Sequence, residues 1–225
     1  MADRDLTALL THLKTNPSLP YPETTSLLSR AKLLLLQLNA LTPSAATPPQ
    51  LLALARTTYE QGALASIRAK DPAAFTRYMS QLRPFYELSA GAGDGEDERN
   101  KITGLYLLLL LTQGLYGEFH SELEALAMRE EAVGGAGLDV EGDRYLGYPI
   151  RLERWLMEGS YDRVWKAMKK GEVPCEEFGV FSEVCFSFLS ATTTPTHSPC
   201  DDDDAKQWSK TDPHLANPLR NRLVQ

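Results

Sequence analysis

The chain holds three cysteines in 225 residues, too few and odd in number for the disulfide framework of a small secreted domain. Cys175, Cys185 and Cys200 lie ten and fifteen residues apart, without the close pairing of a zinc site. Long apolar runs are also missing. The longest, Leu105–Leu111, is seven residues against the ~20 that a membrane-crossing helix needs. There is no surplus of positive charge: 23 Lys and Arg stand against 30 Asp and Glu. A net charge of −7 argues against a general nucleic-acid binder, which needs a basic face. The opening MADRDLT has no apolar segment and carries early acids, unlike a secretory or transit peptide. Phosphate-loop, dinucleotide and H-E-x-x-H motifs do not occur, and the glycines at 91, 93 and 95 sit among acids that would repel phosphate. Together these absences describe a soluble intracellular protein.

The pattern that is present is helical. Leu27, Leu28, Ala31, Leu34, Leu35 and Leu38 lie on one stripe of a 3.6-residue period, between Tyr21-Pro22 and Pro43. A second helix opens after Pro48-Pro49 with Leu51, Leu52, Ala55, Tyr59, Gly62, Ala63 and Ile67. Asp71-Pro72 reads as an N-cap followed by proline at the first helical position. Behind it run Phe75, Tyr78, Met79, Leu82, Phe85 and Tyr86. The small, acidic stretch Ala90–Glu98 reads as a mobile connection. Lys101–Thr112 is apolar on every side around Leu105–Leu111, so it must be covered by other helices. Glu118–Met128 follows with Phe119, Leu123, Leu126 and Ala127 inward, and after the break Gly134–Asp143 come a helix over Tyr145–Glu158 and one capped by Ser160. No segment before residue 172 alternates like a strand.

The turns near Ala69, Gly114 and Gly159 recur every 45 residues, each followed five or six residues later by an anchor: Phe75, Phe119, Val164. Helix–turn–helix units at this period imply an all-α fold of helix-turn-helix repeats, an α-solenoid, with an irregular helical bundle as the alternative. Charge follows the same map: residues 1–90 carry nine basic and six acidic groups, and 91–142 carry three and eleven. The acidic middle reads as a solvated helix face, or as a surface that selects a basic partner. Beyond Ser190 the composition (Thr, Pro, Ser, four consecutive Asp) cannot offset the entropy of ordering, and 190–225 reads as a disordered tail after a helical part, 1–189.

No catalytic, cofactor-binding or metal-binding set emerges. His12, His120, His197 and His214 are scattered, and Cys175 precedes two acids that disfavour its thiolate. Glu118 and Glu122, one turn apart, read as an exposed acidic ridge rather than an acid/base pair. Trp155, Tyr161, Trp165 and Phe178 cluster near the last repeat, where aromatic residues commonly anchor interfaces, although a core role suits both tryptophans equally. The candidate protein-interface residues are Glu118, Glu122, Arg151, Arg154, Tyr161 and Phe178.

GLYLLLLLTQGLYGEFHSELEAL (Gly104–Leu126) and YPIRLERWLMEGSYDRVW (Tyr148–Trp165) resemble the proteasome non-ATPase regulatory subunit 8 family, the small PCI-domain subunit of the 26S proteasome lid. The most specific blocks are EFHSELE (Glu118–Glu124), LERWLMEGSYDRVW (Leu152–Trp165) and the helix start at Pro174–Phe178; the similarity is weak over the first ninety residues. It implies TPR-like repeats of a PCI protein and a non-catalytic scaffold of the 19S regulatory particle, in cytoplasm and nucleus. Such a subunit forms a hetero-oligomer with other lid and regulatory-particle subunits, serves ubiquitin-dependent degradation, and binds neither nucleic acid nor membrane. The family's winged helix and final bundle helix find no counterpart, because the chain turns polar at about Cys185–Ser190, as a translated intron or truncated gene model would. Other readings are the small PCI subunits of the signalosome or of translation initiation factor three, a free-standing helical-repeat adaptor, and a cysteine hydrolase.

Overall fold

A computed structural model of the chain describes residues 2–44, 47–88, 95–133, 140–169 and 173–180. The described residues contain no strand. They form α1 (Ala2–Thr15), α2 (Tyr21–Gln37), α3 (Pro49–Arg68), α4 (Pro72–Leu88), α5 (Glu96–Thr112), α6 (Tyr116–Val133), α7 (Gly147–Met157) and α8 (Tyr161–Lys169), then a short helical turn over 176–180. The predicted all-α repeat architecture is what the chain adopts. The proposed tail, the missing winged helix and most of the two glycine-rich breaks lie outside the described residues.

Four helices end in one geometry. Asn39, Lys70, Gly114 and Gly159 take positive φ (52°, 57°, 71° and 72°) just after α2, α3, α5 and α7. The next residue donates its N–H to the carbonyl five positions back: Ala40 to Leu35 (2.9 Å), Asp71 to Ser66 (2.9 Å), Leu115 to Leu110 (2.9 Å), Ser160 to Trp155 (2.8 Å). This is the Schellman arrangement, which satisfies carbonyls the helix end leaves open. In the last three cases a new helix starts two residues after the positive φ, giving the hairpins α3/α4, α5/α6 and α7/α8. The rhythm is therefore real, but with its first turn at Lys70, one residue beyond Ala69, the spacings are 44 and 45 residues. The anchors are equivalent too: Phe75, Phe119 and Val164 donate their N–H to Asp71, Leu115 and Ser160 and bury their side chains.

The hairpins stack through α5. It contacts α3, α4, α6 and α7, and every residue from Ile102 to Thr112 is buried, as its lack of a polar face required. Helices α1 and α2 pack on α3 at the other end. Three details differ from the sequence expectations. Helix α1 was not foreseen, yet Leu6, Leu10 and Leu13 are buried at positions i, i+4 and i+7 of it. Helix α5 begins at Glu96 rather than Lys101, because Glu96, Asp97 and Glu98 suit the positive end of a helix dipole in its first turn. Ala127 faces solvent, while Phe119, Leu123 and Leu126 supply the inner face of α6. Asp71 caps α4 as read, its Oδ1 accepting the Ala74 N–H at 2.9 Å.

Because an L side chain is strained at positive φ, Lys70→Gly should stabilise the chain by about 0.5–1 kcal/mol. Gly114→Ala should cost about 1 kcal/mol although nothing lies within 4 Å of the added Cβ. Thermal or urea unfolding of the two variants checks these opposite signs.

Candidate interaction surface and its internal supports

Three polar tie-points, two of them buried, fix which faces remain outside. The first joins the segment after α8 to the middle of the stack. Glu177 receives Arg68 of α3 at 2.8 Å and Lys101 of α5 at 3.2 Å. Next to it, Phe178 is fully buried, stacked on Tyr145 (centroids 5.9–6.2 Å from the two tyrosine rings), edge-on to Tyr148, and against Gly104, where a Cβ would lie 2.5 Å from the Tyr145 carbonyl. Arg144 donates to the Pro174 carbonyl at 2.8 Å. Burial pushes the Glu177 carboxyl upward, but hydrogen bonds from Arg68 and Cys175 and the Lys101 charge outweigh it and hold the pKa at about 2. The Cys175 thiol is raised by burial and by its bond to Glu177, so it stays protonated, the disfavoured thiolate the sequence suggested.

The second tie-point is the Asp143 carboxylate, which accepts the N–H groups of Tyr145 (2.7 Å) and Leu146 (2.8 Å) before α7 and the Asn100 amide of α5 (3.1 Å). The third lies where α3, α4 and α5 meet. Glu60, 4% exposed, sits 3.4 Å from the Arg56 Nε and accepts the Tyr86 hydroxyl at 3.4 Å. Arg99 of α5 lies over the Tyr86 ring at 5.7 Å. Burial raises the Glu60 pKa to about 7 against the opposing pull of Arg56.

With these supports in place, the candidate interface residues separate. Glu118 is exposed on α6. Glu122, one turn on, is occupied by an ion pair with Arg83 of α4. Arg151 and Arg154 are exposed on α7 and converge on Glu141, Arg151 at its carbonyl (3.4 Å) and Arg154 at its carboxylate. Tyr161, Trp155 and Trp165 are half-buried. His120 meets Glu153 at 3.5 Å and ties α6 to α7. Phe178 is a correction: it is a core anchor of the last segment, not a residue offered to a partner. The partners Arg68, Lys101 and Glu177 escaped the sequence reading because 109 residues separate the ends of the bridge and no local motif marks it. Among the described residues no group of three His, Cys, Asp or Glu side chains is placed to hold a metal. No described helix is long and apolar enough to cross a membrane.

The geometry defines a helical-repeat protein whose hairpins spend their apolar stripes on one another and present polar helix faces outward. Residues 98–176, from the first turn of α5 to the residue before Glu177, match the model of the CSN8/PSMD8/EIF3K family. The chain is 36% identical over 138 residues to the 26S proteasome regulatory subunit RPN12 of Saccharomyces cerevisiae, covering 61% of this chain and 48% of the yeast protein. It is 35% identical over 150 residues to the 26S proteasome non-ATPase regulatory subunit 8 homolog A of Arabidopsis thaliana, covering 65% and 52%. With rpn12 of Schizosaccharomyces pombe it shares 33% over 135 residues, covering 60% and 45%. The chain thus spans about half the length of the curated relatives it matches.

The two buried carboxyls predict opposite pH dependence. The Glu177 contribution is complete above about 4.5 and is lost as pH falls toward about 2. The Glu60 carboxyl binds its proton more tightly folded than unfolded, so its contribution is complete below about 4.5 and is lost as pH rises to about 7. Melting temperatures between pH 3 and 8 should show Glu60→Gln flattening the neutral side of the profile. Glu177→Gln should cost about 2 kcal/mol at pH 7 and flatten the acid side.

Proposed function

We propose that this chain is a non-catalytic structural subunit of the proteasome regulatory particle, placed in the lid and supporting its assembly and ubiquitin-dependent protein degradation in cytoplasm and nucleus. The observation that carries the reading is the run of residues 98–176. It matches the family model, and the relatives most similar to the chain are named as proteasome regulatory subunits. The architecture supports it. Among the described residues three carboxylates hold helices together: Glu177 in ion pairs, Glu60 beneath Tyr86, Glu122 against Arg83. The protonated Cys175 thiol gives a cysteine-hydrolase reading no activated nucleophile. The outward faces of α6 and α7, with Glu118, Arg151, Arg154 and the half-buried Tyr161, form the surface for neighbouring subunits in a hetero-oligomer. Phe178 acts behind that surface by fixing the start of α7.

Affinity purification of the full tagged chain tests this. Co-isolation with regulatory-particle subunits is expected, and the double charge reversal Glu118→Lys with Arg151→Glu should lower recovery about fivefold or more while leaving the melting temperature unchanged. Recovery with signalosome or initiation-factor subunits instead would move the chain to another branch of the family. A lone monomer would favour the free-standing adaptor.

A further inference from the structure

Helix α2 carries four consecutive leucines, and the core uses only part of the run. Leu35 is buried and Leu34 is partly buried, while Leu33 and Leu36 are 61% and 55% exposed. On a helix these two lie three residues apart and share the face opposite Leu28, Ala31 and Leu35. Two bare leucines side by side are a cost to solubility that folding does not require.

Charge marks the edges of this strip. On one side Lys32 reaches across to α4, its Nζ 3.2 Å from the Tyr78 hydroxyl, 4.3 Å from the Tyr78 ring centroid and 5.6 Å from that of Tyr59. The ammonium is thereby held in one place by aromatic faces. Arg77 stands beside it on α4, close enough that, after burial, its charge is the second cause lowering the Lys32 pKa. Arg30 flanks the leucines on the other side of the helix and is exposed. Among the described residues none of Arg30, Lys32 and Arg77 makes an ion pair. The acid of α2, Glu23, sits in its first turn, and that of α4, Glu87, in its last, away from this edge. The surface therefore combines an apolar strip with an ordered, uncompensated positive rim.

We propose that the outer face of α2, with Leu33 and Leu36 flanked by Lys32, Arg77 and Arg30, docks an acidic amphipathic helix of a partner protein. Its leucine-class residues at i and i+3 or i+4 cover Leu33 and Leu36, and its carboxylates meet Lys32 and Arg77. The complementarity is specific in sign. A neutral or basic helix would cover the leucines but leave the three cations unpaired or repelled.

This surface lies outside the family-matched residues 98–176 and is independent of the regulatory-particle reading. The test places a photo-crosslinking amino acid at position 36 of the full chain in cells, followed by sequencing of the crosslinked peptide. The expected product is one partner segment with apolar residues at helical spacing and an excess of Asp and Glu. Its yield should fall about fivefold or more in Arg77→Glu, an exposed change that leaves the fold intact, and likewise in Lys32→Glu. A neutral or basic crosslinked segment, a yield indifferent to Arg77→Glu, or no adduct would each overturn the inference. A chain that co-isolates with regulatory-particle subunits but gives no adduct would sink this proposal alone.

Discussion

Helix α5 buries every residue from Ile102 to Thr112, and an α-helix without a polar face is stable in water only when neighbours surround it. Six of those eleven residues are leucines, each contributing about 1.5–3 kcal/mol when removed from water. The four helices that touch α5 exist in their observed places because they cover it: α3 and α4 from the preceding hairpin, α6 from its own, α7 from the next. Helices α3, α4, α6 and α7 can therefore keep polar outer faces, since the inner demand is concentrated in one helix. The molecule is a stack around α5.

Apolar contact alone would let hairpins slide along one another, because leucine surfaces have little directional preference. The polar tie-points supply the register. Glu177 accepts only where Arg68 and Lys101 arrive together, and Asp143 joins the start of α7 to Asn100 on α5. Glu60 sits between Arg56 and Tyr86 at the joint of the first two hairpins. Each group would be costly if left unpaired, so each admits one arrangement of its helices. The shared Schellman turns act alongside them, since the same positive-φ exit and the same anchor five residues on launch α4, α6 and α8 in equivalent ways.

The segments that most resemble the lid-subunit family are also those that contain these supports. Gly104 and the start of α7 receive Phe178, the α6 histidine meets Glu153 of the Leu152–Trp165 block, and Pro174–Phe178 carries the staple. Sequence similarity in this chain thus marks the internal joints of the stack at least as strongly as its outer faces. A buried phenylalanine consequently read as an interface anchor when only its position near other aromatics was visible.

The fold class, the covered central helix and the three hairpin turns were legible in the chain itself, because they depend on local causes. Leucine spacing, the Asp71-Pro72 cap, and glycines at 114 and 159 where backbone φ must be positive act within a turn or two of sequence. The short helix α1 was equally local but carried only three inward leucines, a weak period easily passed over. What the sequence could not disclose was pairing between distant charges. Arg68 with Glu177, Arg83 with Glu122 and Lys32 on Tyr78 join residues 109, 39 and 46 positions apart. Only the stacking of hairpins brings them within reach, so whether an ionisable residue becomes an internal tie or an outward surface was decided by tertiary structure.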